Sequence, residues 1–254
     1  KRQYMDLLAM NEGYAQAVQN NLSRHFEFDA ADPHTEVLRT ELLRRIQRDP
    51  TRAIFPEMLI WMLIQQKDLD GAFVQAKAMD KRLDEGGARL MDLARIAEAN
   101  SDYGIAFKCY DHVIGQGRND GNYFSARTGA VHARYLQLTG QPEPLEAELS
   151  DLDQRMAATL TDMGLAKHTV SLLRERAHLK AYFLNQPAEA FALLDEGLAM
   201  PSIDAKQKAE IKLDLGDLHL ISGDIWEASL LYSQVDLDFK NDILGHEARL
   251  RNAE

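Results

Sequence analysis

A single cysteine, Cys109, stands among 254 residues. One thiol closes no internal disulfide and cannot build a cysteine-rich zinc site, so the redox compartment stays open. Beside Tyr110 it reads as a small half-buried hydrophobe, since a nucleophile needs a base and an activating environment. Proline (7) and glycine (15) are scarce. They sit mainly between periodic stretches. Alternating runs of β-branched residues are absent, and no Asn-Gly or Asp-Gly turn joins two strand-like runs, which excludes a β-rich fold. No apolar run approaches the roughly 18 residues of a membrane-crossing helix. The longest, such as Met58 to Ile64, reads as buried helix and gives no direct membrane insertion.

Positive charge is also in deficit. Forty acidic and 29 basic residues leave a net charge of −11. Nucleic-acid binding depends on Lys and Arg neutralising phosphates, so that partner class is not expected. The basic stretch from Leu42 to Arg48 reads as a solvated helix face. Glycine-rich phosphate loops are missing. The eight histidines are scattered, without metal-ligand spacing. The stretch Asp236 to Asp242 lacks the turn glycine and closing glutamate of a calcium loop. No carboxylate pair is singled out for acid–base work. The chain is therefore expected to have no catalytic residue, no metal site and no cofactor, and not to be an enzyme.

What the sequence does have is helical periodicity throughout. Helices are expected near 3–24, 34–48, 54–66, 69–84, 87–100, 103–116, 122–139, 143–163, 167–184, 188–199, 204–221, 225–239 and 243–252. Asp68, Asp102 and Asp224 stand at helix starts, where a carboxylate accepts from free backbone N–H groups; Glu227 is placed to reach back to Asp224. Pro33 and Pro201 punctuate other starts. Short links force neighbouring helices antiparallel.

The pairs repeat. Leu59, Asp68, Ala72 and Met79 are followed 34 positions later by Leu93, Asp102, Ala106 and Val113. Leu215, Asp224, Ala228 and Val235 take the same places again. Gly216 then marks a close approach between paired helices. Gly223 closes the turn in a left-handed conformation, and Tyr232 fills the space one helical turn beyond Ala228. Between about 118 and 204 the period stretches, although Ala190 still reads as a small packing residue.

The stretch from Leu215 to Val235, with Leu215, Gly216, Gly223, Ala228 and Tyr232 in order, resembles the tetratricopeptide repeat (TPR) family. Leu93, Ala94, Ala106 and Tyr110 give the next-best copy, and Leu59 and Ala72 a weaker one. The closing proline is missing from most units, Pro50 excepted. The resemblance implies an all-α, right-handed superhelix of antiparallel helix pairs: one solenoid over 1–254, with the clearest repeats at 54–86, 87–118 and 206–240 and irregular pairs over 119–203. The stretch from Asp242 begins another first helix, so the natural chain is expected to continue past Glu254. A soluble protein is expected, and the sequence leaves its compartment open: cytoplasmic or, if a signal segment has been removed, periplasmic.

The resemblance also implies a function: a scaffold binding a peptide or protein on the concave face lined by first helices. The alternative is a regulatory or docking module of a larger enzyme or envelope assembly. The inward places implied are Glu57, Trp61, Ile64, Met91, Arg95, Glu175, Leu179, Tyr182, Phe183, Leu213, Asp217 and Leu220. Some relatives clamp acidic chaperone tails through Lys and Asn at such places. Glu57, Trp61, Met91, Arg95, Leu213 and Asp217 are no such clamp, so an apolar or mildly basic ligand fits better.

Overall fold

A computed structural model describes residues 2–28, 33–119 and 121–253. Lys1 and Glu254, the two ends of the expected single solenoid, lie outside the described residues. Two compact units, Lys1–Ala126 and Arg127–Glu254, divide the chain. Among the described residues all regular structure is helical. The first unit holds α1 (Arg2–Met10), α2 (Ala15–His25), α3 (Pro33–Arg48), α4 (Ile54–Gln65), α5 (Leu69–Leu83), α6 (Ala88–Ala99) and α7 (Tyr103–Gly115). The boundary falls inside α8 (Tyr123–Thr139). The second unit continues with α9 (Glu146–Met163), α10 (Val170–His178), α11 (Pro187–Ala199), α12 (Ala205–Ile221), α13 (Ile225–Asp238) and α14 (Ile243–Ala253).

Consecutive helices pack as pairs, α4 on α5, α6 on α7, α10 on α11 and α12 on α13. Each pair turns through the same device. Lys67, Ser101, Asn185 and Gly223 all adopt a left-handed backbone, with φ of 59°, 60°, 53° and 84°. The residue after each is the N-cap of the second helix. Its N–H returns to a carbonyl of the first helix: Asp68 to Leu63, Asp102 to Ala97 and Asp224 to His219, at 2.8–2.9 Å. That bond satisfies a carbonyl which the helix end would leave without a partner. Only the last copy uses glycine, the residue for which this conformation is nearly free.

Packing inside the pairs is volume-compensated. In α12, Gly216 faces Tyr232: a methyl group built on Gly216 would lie 2.5 Å from the tyrosine ring. The equivalent positions pair Ala94 with Tyr110 and Ile60 with Ala76, and all of these residues are buried. The larger the residue on one helix, the smaller the residue opposite, as close-packed interiors require. Leu59, Leu93, Leu215, Ala72, Ala106, Ala190 and Ala228 are all buried, Ala228 within the α12–α13 pair and Leu215 in the core shared with the preceding pair. The last helix, α14, closes the α12–α13 pair with Leu244 and Ala248.

Three local expectations need correction. The helix expected over 3–24 breaks at Asn11, whose extended backbone and side-chain bond to the Gly13 N–H (2.9 Å) start a short 3-10 turn before α2. The helix expected over 167–184 is composite: a 3-10 turn (Lys167–Thr169), then α10, then a π-helical turn (Leu179–Phe183). The π turn adds one residue, so the closing bond runs from Gln186 to Lys180, six positions rather than five. This is part of the stretched period. Finally, Asp224 caps through its backbone position alone, with no bond from its side chain. Its carboxylate lies 3.6 Å from His219 instead. Asp68 and Asp102 do cap, accepting from Gly71 and Ile105 at 2.8 and 3.1 Å.

Candidate functional site

In the second unit the first helices of successive pairs lie beside one another, joined by a ladder of polar contacts. From α8, His132 is hydrogen-bonded to Glu175 (2.7 Å), and the Tyr135 hydroxyl and His178 Nδ1 share a bond of 2.9 Å. On α10, Arg174 grips Asp214 with two nitrogens (2.5 and 3.1 Å) and donates to Glu210 (2.8 Å) with a third. On α12, Asp217 accepts from Tyr232 (2.7 Å) and from Arg251 of α14 (2.5 Å). Fork-to-carboxylate geometry of the Arg174 kind fixes orientation as well as adding energy.

This ladder floors a cavity of about 230 Å³. Its lining mixes charge (Arg174, Glu175, Asp214, Asp217), aromatic rings (Tyr135, His178, Tyr182) and an apolar base (Ala177, Leu194, Leu218). The rings of His178 and Tyr182 stack, with centroids 4.4 Å apart and planes 25° apart, and Tyr135 meets His178 edge-on. Tyr182 belongs to the π turn, a distortion frequent at functional sites. Burial pushes His178 below its ordinary value, against the pull of Asp214, Asp217 and Glu175. The imidazole is therefore neutral at pH 7. Burial pushes the Tyr135 hydroxyl up to about 12, aided by Glu175 and Asp214. Burial also raises Asp214, with Arg174 opposing it.

Of the expected inward residues, the structure brings Glu175, Tyr182 and Asp217 together in this cavity. Phe183 packs nearby against His178, with centroids 5.8 Å apart. Leu179 and Leu213 are buried between helices and present no surface to a partner, and so is Met91 in the first unit. For Leu213 the reason is helical phase: it projects into the core of its own α12–α13 pair. Leu220 is exposed near the end of α12, outside the cavity lining. In the first unit Glu57 pairs with Arg89 (3.1 Å), and Arg95 with Asp92 (2.7 Å). Trp61 takes the ring of Phe28 edge-on at 5.2 Å, and Ile64 is half-buried.

Sequence reading missed Tyr135, Arg174, His178 and Asp214. A signal was there: Arg174, His178 and Tyr182 recur every four residues, and Glu210, Asp214 and Asp217 at four and three. Each set occupies one helix face. The stretched period hid Tyr135, Arg174 and His178, whereas Asp214 lies in the regular repeat over 206–240 but off the places taken there as inward.

Other features are structural. Cys109 is buried and its thiol is pushed up to about 12 by burial, then by Asp102, so it is not a thiolate near neutrality. The arginines of the basic stretch are largely engaged: Arg45 with Glu41, Asp6 and the Met5 carbonyl, Arg44 with Glu41. Among the described residues no group of His, Cys, Asp and Glu is arranged to hold a metal ion, and no helix is long and apolar enough to cross a membrane.

No family model matches the sequence, and no curated protein matches it. Solved structures do. A thermophilic TPR protein of Thermus thermophilus aligns with a TM-score of 0.54 at 18% identity, covering 78% of this chain and 95% of its own. A tetratricopeptide repeat protein of Parabacteroides merdae aligns over 100% of both chains at 12% identity, with a TM-score of 0.47. Pseudomonas aeruginosa PilF aligns over 94% of this chain and 96% of its own at 13% identity, with a TM-score of 0.43. The helix pairs, the shared turn and the first of these alignments lead to one conclusion: in fold, the chain is a TPR-like all-α helical-repeat protein.

Proposed function

We propose that the protein is a non-enzymatic scaffold that binds a protein or peptide partner, and that the partner seats on the first-helix face of the second unit. The observation that carries this reading is the cavity framed by Glu175, Tyr182 and Asp217. Three side chains from two successive first helices converge there, with an aromatic platform open on one side. Repeat arrays use faces assembled from successive units in this way. Tyrosine and arginine anchors in such pockets supply much of the binding energy of an interface. The ladder beneath holds the lining residues in fixed positions, which lowers the ordering cost of binding. A protein or peptide, rather than an anionic polymer, fits a chain with a net charge of −11.

Site-specific photo-cross-linking tests the reading. A benzophenone side chain placed at Tyr182 is expected to capture a protein from an extract of the source cells. The same group at exposed Arg155, on α9, is expected to capture none. Equal capture at both places, or capture at neither, would refute it.

A further inference from the structure

We propose that this cavity receives an arginine side chain of the partner, an assignment that rests on the scaffold reading above. Charge is the first reason. The ionised lining groups are one cation, Arg174, and three carboxylates, Glu175, Asp214 and Asp217. His178 adds no positive charge at neutral pH, because burial holds it in the neutral form. Asp214 is committed to Arg174, and Asp217 to Arg251. Glu175 differs: it is hydrogen-bonded to His132 at 2.7 Å, and no lysine or arginine among the described residues pairs with it. The cavity therefore holds a carboxylate with spare acceptor capacity beside a net negative wall.

Shape is the second reason. His178 and Tyr182 are stacked, with planes 25° apart, and Tyr182 is 42% exposed. A planar guanidinium continues that stack over the open ring, by cation–π attraction and by dispersion. Its rigid fork of donors then reaches the carboxylate edge, which a lysine ammonium cannot match in two places at once. The methylene stem lies against Ala177, Leu194 and Leu218, the apolar base of the cavity. An anionic side chain meets the opposite situation: the Arg174 nitrogens already bond Asp214 and Glu210.

Random twelve-residue peptides displayed on phage, panned against the full chain, provide the test. Enriched peptides are expected to share an arginine. Replacing it by lysine should weaken binding about 3-fold or more, and by glutamine at least 10-fold, read by fluorescence anisotropy. Glu175→Gln and Tyr182→Ala should each weaken the arginine peptide at least 5-fold, and the glutamine version less than 2-fold. Circular dichroism confirms that each variant folds; Glu175→Gln keeps shape and size, so it serves if Tyr182→Ala does not fold. Peptides that bind without arginine, that accept lysine equally, or that ignore both variants overturn the arginine assignment and leave the scaffold reading standing. Absence of any enriched peptide overturns both.

Discussion

Replacing Gly216 with alanine sets two well-known effects against each other. Inside an exposed helix the change would stabilise by about 1 kcal/mol, because alanine is the better helix former. Here the new methyl group would lie 2.5 Å from Cε1, 2.9 Å from Cζ and 3.0 Å from Cδ1 of Tyr232. Tyr232 is 2% exposed and anchored to Asp217 by a 2.7 Å bond, so the ring has little room to withdraw. Overpacking of this kind costs about 1–3 kcal/mol. The net expectation for Gly216→Ala is a loss of between about 0 and 2 kcal/mol. The decisive comparison is the same change made in Tyr232→Leu, which removes the atoms at 2.5 and 2.9 Å. There the clash falls away and helix propensity remains, so alanine should become neutral or stabilising by up to ~1 kcal/mol. Urea unfolding followed by circular dichroism, compared at constant slope, reads both shifts. A stabilising Gly216→Ala in the natural background, or an equal effect in both, would refute the packing argument.

Three further outcomes follow from the same structure. Gly223 is left-handed with nothing within 4 Å of a built methyl, so Gly223→Ala should cost about 1 kcal/mol through backbone strain alone, and Ser101→Gly at the equivalent turn should be neutral or stabilising by thermal unfolding. Asp102→Ala should cost about 1 kcal/mol by urea titration, and Asp224→Ala less than half as much, because only the first carboxylate accepts a capping bond. For pH, His178 has a folded value below its ordinary 6.5. Its contribution is complete above about 6.5 and is lost as pH falls from there towards the folded value. Glu41, lowered by Arg44, and Asp153, held down by Arg176 and Lys180 against its burial, contribute above the carboxylate range and fail only in stronger acid. Asp214, raised by burial, acts in the opposite sense in both chains, so the His178 contribution is read as a difference: between pH 7 and 5.5 the melting temperature should drop more in the natural chain than in His178→Gln, and identical slopes would contradict the assignment.

Much of the fold was legible because its signals are local or strictly periodic. Leu59, Leu93 and Leu215 recur with Ala72, Ala106 and Ala228 in one frame, and each of the six is buried as that frame requires. The turn glycine at Gly223 was readable from residue type. Asn185 shares its conformation with a residue type that tolerates it, whereas Lys67 and Ser101 adopt it without any such preference. The carboxylate of Asp224 misled because a cap depends on rotamer as well as residue type, and His219 offers it another neighbour. Half of the cavity was out of reach for a related reason. Glu175, Tyr182 and Asp217 come from the family pattern, whereas Tyr135 and His178 meet only across a step of 43 positions that no regular repeat predicts. The π turn that shifts this frame has no marker in the sequence Leu179 to Phe183.

The site carries the whole functional reading, and chemical-shift mapping tests it most directly. Isotope-labelled full chain would be titrated with a peptide enriched by panning. The account predicts that the largest shifts cluster at Tyr135, Arg174, Glu175, His178, Tyr182 and Asp217. Shifts centred instead on the exposed stripe of Trp226, Leu230 and Leu237, on α13, would contradict it.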